Sequence, residues 1–206
     1  MPRTKSSRAW LDRQHKDPFV KRARKEGARS RAIYKLEEID RRDRLFRAGM
    51  VVVDLGAAPG GWSEYAVRRV LPGGRVVALD LLPMAEIPGV EFIQGDFADA
   101  AVLDSLKERL GGQRVDLVIS DMAPNISGIA AADQARSMGL SELALDFADQ
   151  ALRAGGDLLL KTFQGEGFKE LHQQMLRRFE RVLTRKPKAS RGESREVYLL
   201  GRGRRP

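Results

Sequence analysis

No cysteine occurs anywhere in this chain, and histidine occurs only twice, as His15 and His172. The first absence removes disulfides, thiolate metal sites and a cysteine nucleophile together. The second leaves little imidazole for moving protons. No apolar run approaches the roughly 20 residues that a membrane-spanning helix needs. The segment from Met1 to Lys16 carries charge but no apolar stretch, so it does not read as a secretory signal. Internal repeats and low-complexity linkers are also missing. The expectation is a cytoplasmic monomer that uses neither membrane nor metal.

What is present is enough for a core, since 42% of the 206 residues are hydrophobic. Charge is distributed unevenly. Residues 1–31 hold 11 Lys/Arg against 3 Asp/Glu, residues 177–206 hold the same numbers, and the stretch between them is net −7. An acidic body with two basic ends either grips a polyanion with those ends or carries two solvated tails. Residues 1–29 read as a basic, flexible or loosely docked arm containing Trp10, Phe19 and Val20, and residues 30–206 as one domain.

The chain is organised around Met50–Val67. Val51-Val52-Val53 is a β-branched run that reads as a buried parallel strand, with Asp54 at its end. Gly56-Ala57-Ala58-Pro59-Gly60-Gly61 then forms a turn, and from Trp62 an apolar face of Trp62, Ala66 and Val67 predicts a helix. Strand, glycine turn and helix together aim unpaired helix N–H groups at a ligand. Upstream, Ser30 predicts an N-cap for a helix from Arg31 with Ile33, Leu36 and Ile39 inward, and Lys35 beside that apolar face.

Downstream, strands are predicted at Arg75–Asp80, Val90–Gln94, Val115–Ser120 and Asp157–Lys161. Helices near 99–110 and 134–153 alternate with them, the second stopped by Gly155-Gly156. A helix at Phe168–Leu176, a strand at Phe179–Thr184 and a last, antiparallel strand at Arg195–Leu200 complete the reading. This is an α/β fold: a mostly parallel sheet with helices on both faces.

Asp54, Asp80, Asp96, Asp121 and Lys161 all fall at or just past strand carboxyl ends, the edge where such sheets bind ligands. Asp80 follows Gly56 at the distance expected of a carboxylate that holds ribose hydroxyls. Two cofactors fit the turn, a nicotinamide dinucleotide and S-adenosylmethionine. Carboxylates crowded near a pyrophosphate would repel it, whereas a sulfonium and an adenine amino group favour them. As a group they point to S-adenosylmethionine. For any one of them the ordinary reading is a cap or turn residue, and Asp96 after Gly95 fits that reading best.

At this point Ser30-Arg31-Ala32-Ile33-Tyr34-Lys35-Leu36, Asp54 through Trp62, Asp121-Met122-Ala123-Pro124-Asn125, Leu160-Lys161 and Ser194-Arg195-Glu196 can be read together. In order and spacing the chain resembles the FtsJ/RlmE-type ribosomal RNA 2′-O-methyltransferases over essentially its whole length. The resemblance implies a class I S-adenosylmethionine-dependent methyltransferase fold, Rossmann-like. It also implies a Lys-Asp-Lys-Glu tetrad at Lys35, Asp121, Lys161 and Glu196. Gly56, Gly60, Gly61, Trp62, Asp54, Asp80, Asp96 and Asp121 would line the cofactor. The implied product is a 2′-O-methylated uridine in the A-loop of 23S ribosomal RNA, made on the large subunit. Related enzymes with the same tetrad act on tRNA or mRNA caps.

The chemistry of the tetrad stands apart from the resemblance. A ribose 2′-OH is a poor nucleophile, so the enzyme must position it and help with one proton. His15 lies in the basic arm, and His172 lies on a helix whose apolar face is Phe168, Leu171 and Met175. Lysine remains, and Lys161 is the one at the sheet edge. If Lys35 and Glu196 join that site, the basic segments carrying Arg22, Arg24 and Arg191 must converge on it. A nicotinamide-dependent reductase and a ribosome-assembly RNA-binding protein with incidental catalysis are the rival readings. The carboxylates oppose the first, and the intact tetrad opposes the second.

Overall fold

Runs of β-branched and leucine residues build the frame. They form β1 (Val51–Leu55), β2 (Arg75–Asp80), β3 (Val90–Gln94), β4 (Val115–Ser120), β5 (Leu152–Phe163), β6 (Phe179–Arg185) and β7 (Glu196–Arg204). The computed structural model describes residues 17–125 and 127–206, and it joins these strands in one sheet of order β3-β2-β1-β4-β5-β7-β6. β1 to β5 run parallel, and β7 is antiparallel to β5 and β6. The helices are α1 (Pro18–Glu26), α2 (Ile33–Asp43), α3 (Gly61–Val70), α4 (Ala100–Leu110), α5 (Ala130–Ala151) and α6 (Phe168–Arg178). Trp10 and His15 lie outside the described residues.

Strand alternation divides the core into two layers. Val53, Val118, Leu158, Leu160 and Leu199 pack under Leu106, Leu145, Phe147, Leu171 and Met175 from α4, α5 and α6. Val52, Leu117, Ile119, Leu159, Tyr198 and Leu200 pack under Leu36, Ile39, Trp62, Ala66 and Val70 from α2 and α3. Each fully buried side chain of this kind contributes on the order of 1.5–3 kcal/mol. The chain crosses from β1 to β2 on one side and returns to β4 on the other, so a cleft opens above the carboxyl ends of β1 and β4.

Several local expectations are corrected. Ser30 caps nothing through its side chain. The first turn of α2 closes instead through backbone bonds from Ile33, Tyr34 and Lys35 to the carbonyls of Ser30, Arg31 and Ala32. α5 spans Ala130–Ala151 rather than 134–153, and Leu143 on it is exposed. Gly155-Gly156 does not stop that helix. It lies within β5, where the register against β4 shifts between Val115 and Leu117, and the positive φ of Gly155 lets the strand absorb the extra residues. Asp54 lies inside β1 and Lys161 inside β5, each short of its strand's last residue. Part of the basic arm is helix α1, N-capped by Asp17, with Ala23 buried against Tyr34 and Ala189.

The edge strand β6 is fastened to α2 by a bidentate pair, with Arg185 Nε 2.7 Å and Nη2 2.6 Å from the two carboxylate oxygens of Asp43. Both side chains are largely buried. Asp43→Ala strands the guanidinium and is expected to lower unfolding free energy by roughly 3–5 kcal/mol. Urea unfolding measures this; a loss below about 0.5 kcal/mol would class the pair with solvated surface bridges.

Candidate active site

The glycine turn is shaped by contact as much as by conformation. Gly56 has φ +76°, and a Cβ placed there would meet Met122 Cγ at 2.6 Å and the Met122 backbone at 3.0 Å. The N–H groups of Gly56 and Ala57 donate to Leu79 O at 2.9 and 3.1 Å. Asp80 Oδ2 accepts from Ala58 N and Oδ1 from Leu82 N, both at 2.8 Å. Asp80 thus ties the turn to the end of β2 and remains half-buried there. Gly60, at φ +103°, precedes the first residue of α3, Gly61. Trp62 is committed elsewhere: its Nε1 donates to Ala32 O at 2.8 Å and its ring packs 5.7 Å from that of Tyr198. Its backbone N–H, in the first turn of α3, is what it offers a ligand at the turn.

Asp54 is completely buried. Its Oδ2 accepts from Ser63 Oγ at 2.6 Å, and its Oδ1 has no hydrogen-bond partner among the described residues. Burial, with the nearby carboxylates of Asp121 and Asp80 adding to it, pushes this carboxyl up to about 7. Asp80 at the turn and Asp121 facing it suit a cation and oppose a pyrophosphate. Asp96 is exposed and its Oδ1 caps its own turn at Ala98 N, 2.9 Å away, so it is held by local backbone.

Across the cleft, Lys35, Asp121, Lys161 and Glu196 form two linked pairs. Lys161 Nζ lies 3.0 Å from Asp121 Oδ1 and also donates to the Asp121 carbonyl. Lys35 Nζ lies 2.8 Å from Glu196 Oε1, which also accepts from Ser190 Oγ at 2.7 Å. Burial works to raise Asp121, but Lys161 and Lys35, with the hydrogen bonds from Tyr198 and Lys161, outweigh it and hold the carboxyl below its ordinary range.

Tyr198 joins the two pairs and was not among the expected residues. Its hydroxyl donates to Asp121 Oδ1 at 2.7 Å, and Lys35 Nζ sits 5.6 Å from its ring centroid. Burial, then Asp121 and Glu196, push this phenol well above its ordinary value, so it stays a donor. The signal was period two: Glu196 and Tyr198 share a face of β7, and Tyr198 pairs directly with Lys161 across the ladder. The basic segments do meet here. α1 packs by Ala23 against Ala189, and Arg31 bonds both Asp17 and the Ala189 carbonyl.

A model of the family described as FtsJ-like methyltransferase matches residues 28–204. The protein named Ribosomal RNA large subunit methyltransferase E from Nitrosospira multiformis is 58% identical over 205 residues, covering 100% of both chains. The protein of the same name from Azoarcus sp. is 59% identical over 98% of each. Among solved structures, a ribosomal RNA methyltransferase from Plasmodium falciparum superposes with a TM-score of 0.78 at 30% identity, covering 85% of this chain and 98% of that one.

The buried carboxyl of Asp54 makes stability depend on pH. Folded, it keeps its proton up to about pH 7; unfolded, an aspartate ionises near 3.9. Between those values the folded chain holds a proton that the unfolded chain releases, so unfolding free energy falls as pH rises, by at most about 1.4 kcal/mol per unit. The contribution is full below about pH 4 and gone above about 7. Asp54→Asn should therefore flatten the decline across that window. Urea midpoints taken along it for both proteins provide the check, and parallel curves would place the proton elsewhere.

Proposed function

Because the chain belongs to the FtsJ-like methyltransferase family, we propose that it methylates the ribose 2′-OH of a uridine in the A-loop of 23S ribosomal RNA. S-adenosylmethionine is the donor in this reading, and the large ribosomal subunit is the partner. The observation that carries the proposal is the pair of lysine–carboxylate contacts at the carboxyl edge of the sheet, opposite a glycine turn tied down by Asp80.

The donor set fits that cofactor. Gly56, Gly60, Gly61 and the backbone of Trp62 would hold its methionine portion, Asp80 its ribose, and Asp96 its base. The carboxylates of Asp80 and Asp121 favour a positively charged ligand. When bound, the cofactor supplies an electrophilic methyl group. Lys161 orients the 2′-OH and, once it has given up its own proton and become the neutral amine, takes the hydroxyl proton, while Asp121 and Tyr198 fix its position. Lys35, held by Glu196, contributes positive charge where the oxygen becomes anionic. Lys21, Arg24 and Lys25 of α1 are exposed and lack an ion-pair partner among the described residues, which suits contact with RNA phosphates by a monomeric enzyme.

Arginine separates proton transfer from charge alone, since it keeps the charge and does not deprotonate in the working range. Lys161→Arg and Lys161→Ala should both lose nearly all single-turnover methyl transfer while retaining S-adenosylmethionine binding by calorimetry. An arginine variant within about tenfold of wild type, roughly 1.4 kcal/mol of barrier, would reduce Lys161 to a charge stabiliser. The function itself is tested by mass spectrometry of 23S fragments from a deletion strain. The A-loop uridine should lack its methyl group and regain it when the purified protein is added to large subunits. A methylated uridine in the deletion strain would remove the assignment.

A further inference from the structure

Beside the Lys161–Asp121 pair is a cavity of about 180 Å³ that has no part in the chemistry above. Its walls come from the loop after β4, the end of β5, the residue before β7 and the first turns of α5, whereas the glycine turn sits over β1 and β2. Three members of the tetrad border it along the chain. Ala123 lies two residues past Asp121, Phe163 lies two past Lys161 and pairs with Glu196, and Arg195 directly precedes Glu196.

The lining indicates what would fit. Ala123, Pro124 and Phe163 present carbon. Phe163 is half-buried yet belongs to none of the three apolar clusters, so packing alone does not account for it. Arg195 is exposed and has no ion-pair partner among the described residues. One edge is polar. Gln134 uses its amide nitrogen on the Phe163 and Glu166 carbonyls at 3.3 and 2.8 Å, which leaves its oxygen, and Ser137 lies one turn further along α5. A phosphate is disfavoured by the apolar walls and by Asp133, whose carboxylate accepts from Ser127 and Gly128.

We infer that this cavity seats the base of the nucleotide being methylated, its face stacked on Phe163, Arg195 covering it, and its edge toward Gln134 and Ser137. The inference rests on the proposed function. A ribose carries its base on the carbon next to the one bearing the 2′-OH, so a hydroxyl held at Lys161 puts the base within one sugar's width of it. A methyl group passing in line needs the acceptor on the side away from the donor, and the sheet order puts this cavity there. Aromatic and guanidinium planes are how proteins hold a base drawn out of its stack.

The experiment compares wild type, Phe163→Ala, Phe163→Tyr and Arg195→Ala on large subunits from a strain lacking the enzyme, with S-adenosylmethionine binding measured in parallel. Phe163→Ala should lower kcat/KM by about 10- to 100-fold, as loss of one base–aromatic stack does. Phe163→Tyr, which keeps the ring face, should stay within about threefold, and Arg195→Ala should fall between the two. S-adenosylmethionine affinity should hold within about twofold throughout. An alanine variant within threefold of wild type overturns the inference. So does a tyrosine variant that falls as far as alanine, or a parallel loss of cofactor affinity, since either marks Phe163 as structural. A wild-type enzyme that leaves the subunits unmethylated is a different result: it removes the proposed function, and the pocket assignment with it.

Discussion

One carboxylate oxygen holds the site together. Asp121 Oδ1 accepts from Lys161 Nζ at 3.0 Å and from the Tyr198 hydroxyl at 2.7 Å, from β5 and β7 respectively. A largely buried carboxylate costs several kcal/mol unless it is paired, so its partners are required for folding. They arrive only if β4, β5 and β7 are in their observed register, Ser120 opposite Leu160 and Lys161 opposite Tyr198. A slip of one residue would turn Lys161 or Tyr198 to the other face of the sheet and leave Asp121 alone.

The second pair follows from the first. Tyr198 has its hydroxyl on Asp121 and its ring beneath Lys35, and Lys35 is neutralised by Glu196, two residues before Tyr198 on the same face of β7. Two cations and two anions balance within one buried patch, which is how lysine side chains with 7% and 11% exposure are tolerated. Lys35 comes from just after the first basic segment and Glu196 from within the second. Closing their contact therefore brings both basic segments to one side of the cleft, through α1 and the loop around Ala189.

Much of this was legible because it is local. β-branched runs fixed β1 to β4 and β6 to within a residue or two, while β5 begins five residues earlier than expected and β7 ends four residues later; the glycine turn and the carboxylates after it marked the edge at which a ligand is proposed. The four tetrad positions came from resemblance, with Lys161 also reached by elimination. What the pattern could not show was distance. Tyr198 lay unremarked in the last strand, and its place became visible only from the register that sets it opposite Lys161. Asp54 looked like an edge carboxylate, yet it is sealed inside β1, because β1 has helices on both faces and runs two residues further than its valines suggest. The basic arm looked flexible or loosely docked because its apolar residues are few. Ala23 suffices to dock α1, since Tyr34 and Ala189 supply the rest of a small cluster. Gly155-Gly156 reads as a helix stop in any local window, and only the register against β4 shows it as a bulge.

The two halves of the cleft touch at Gly56. Its missing side chain lets the turn over β1 lie directly against Met122, the residue after Asp121. In the proposed reaction a donor on the turn and an acceptor at Lys161 must meet within a few tenths of an ångström, and a displacement of about 1 Å costs on the order of a hundredfold in rate. Two flexible loops could not hold that spacing. Here the turn is pinned to Leu79 and Asp80 from below and stopped by the Met122 backbone from the side. Asp121 is pinned in turn by Lys161 and Tyr198. Backbone against backbone has no rotamer through which to relax, so the separation between the two sides of the cleft is set by the sheet.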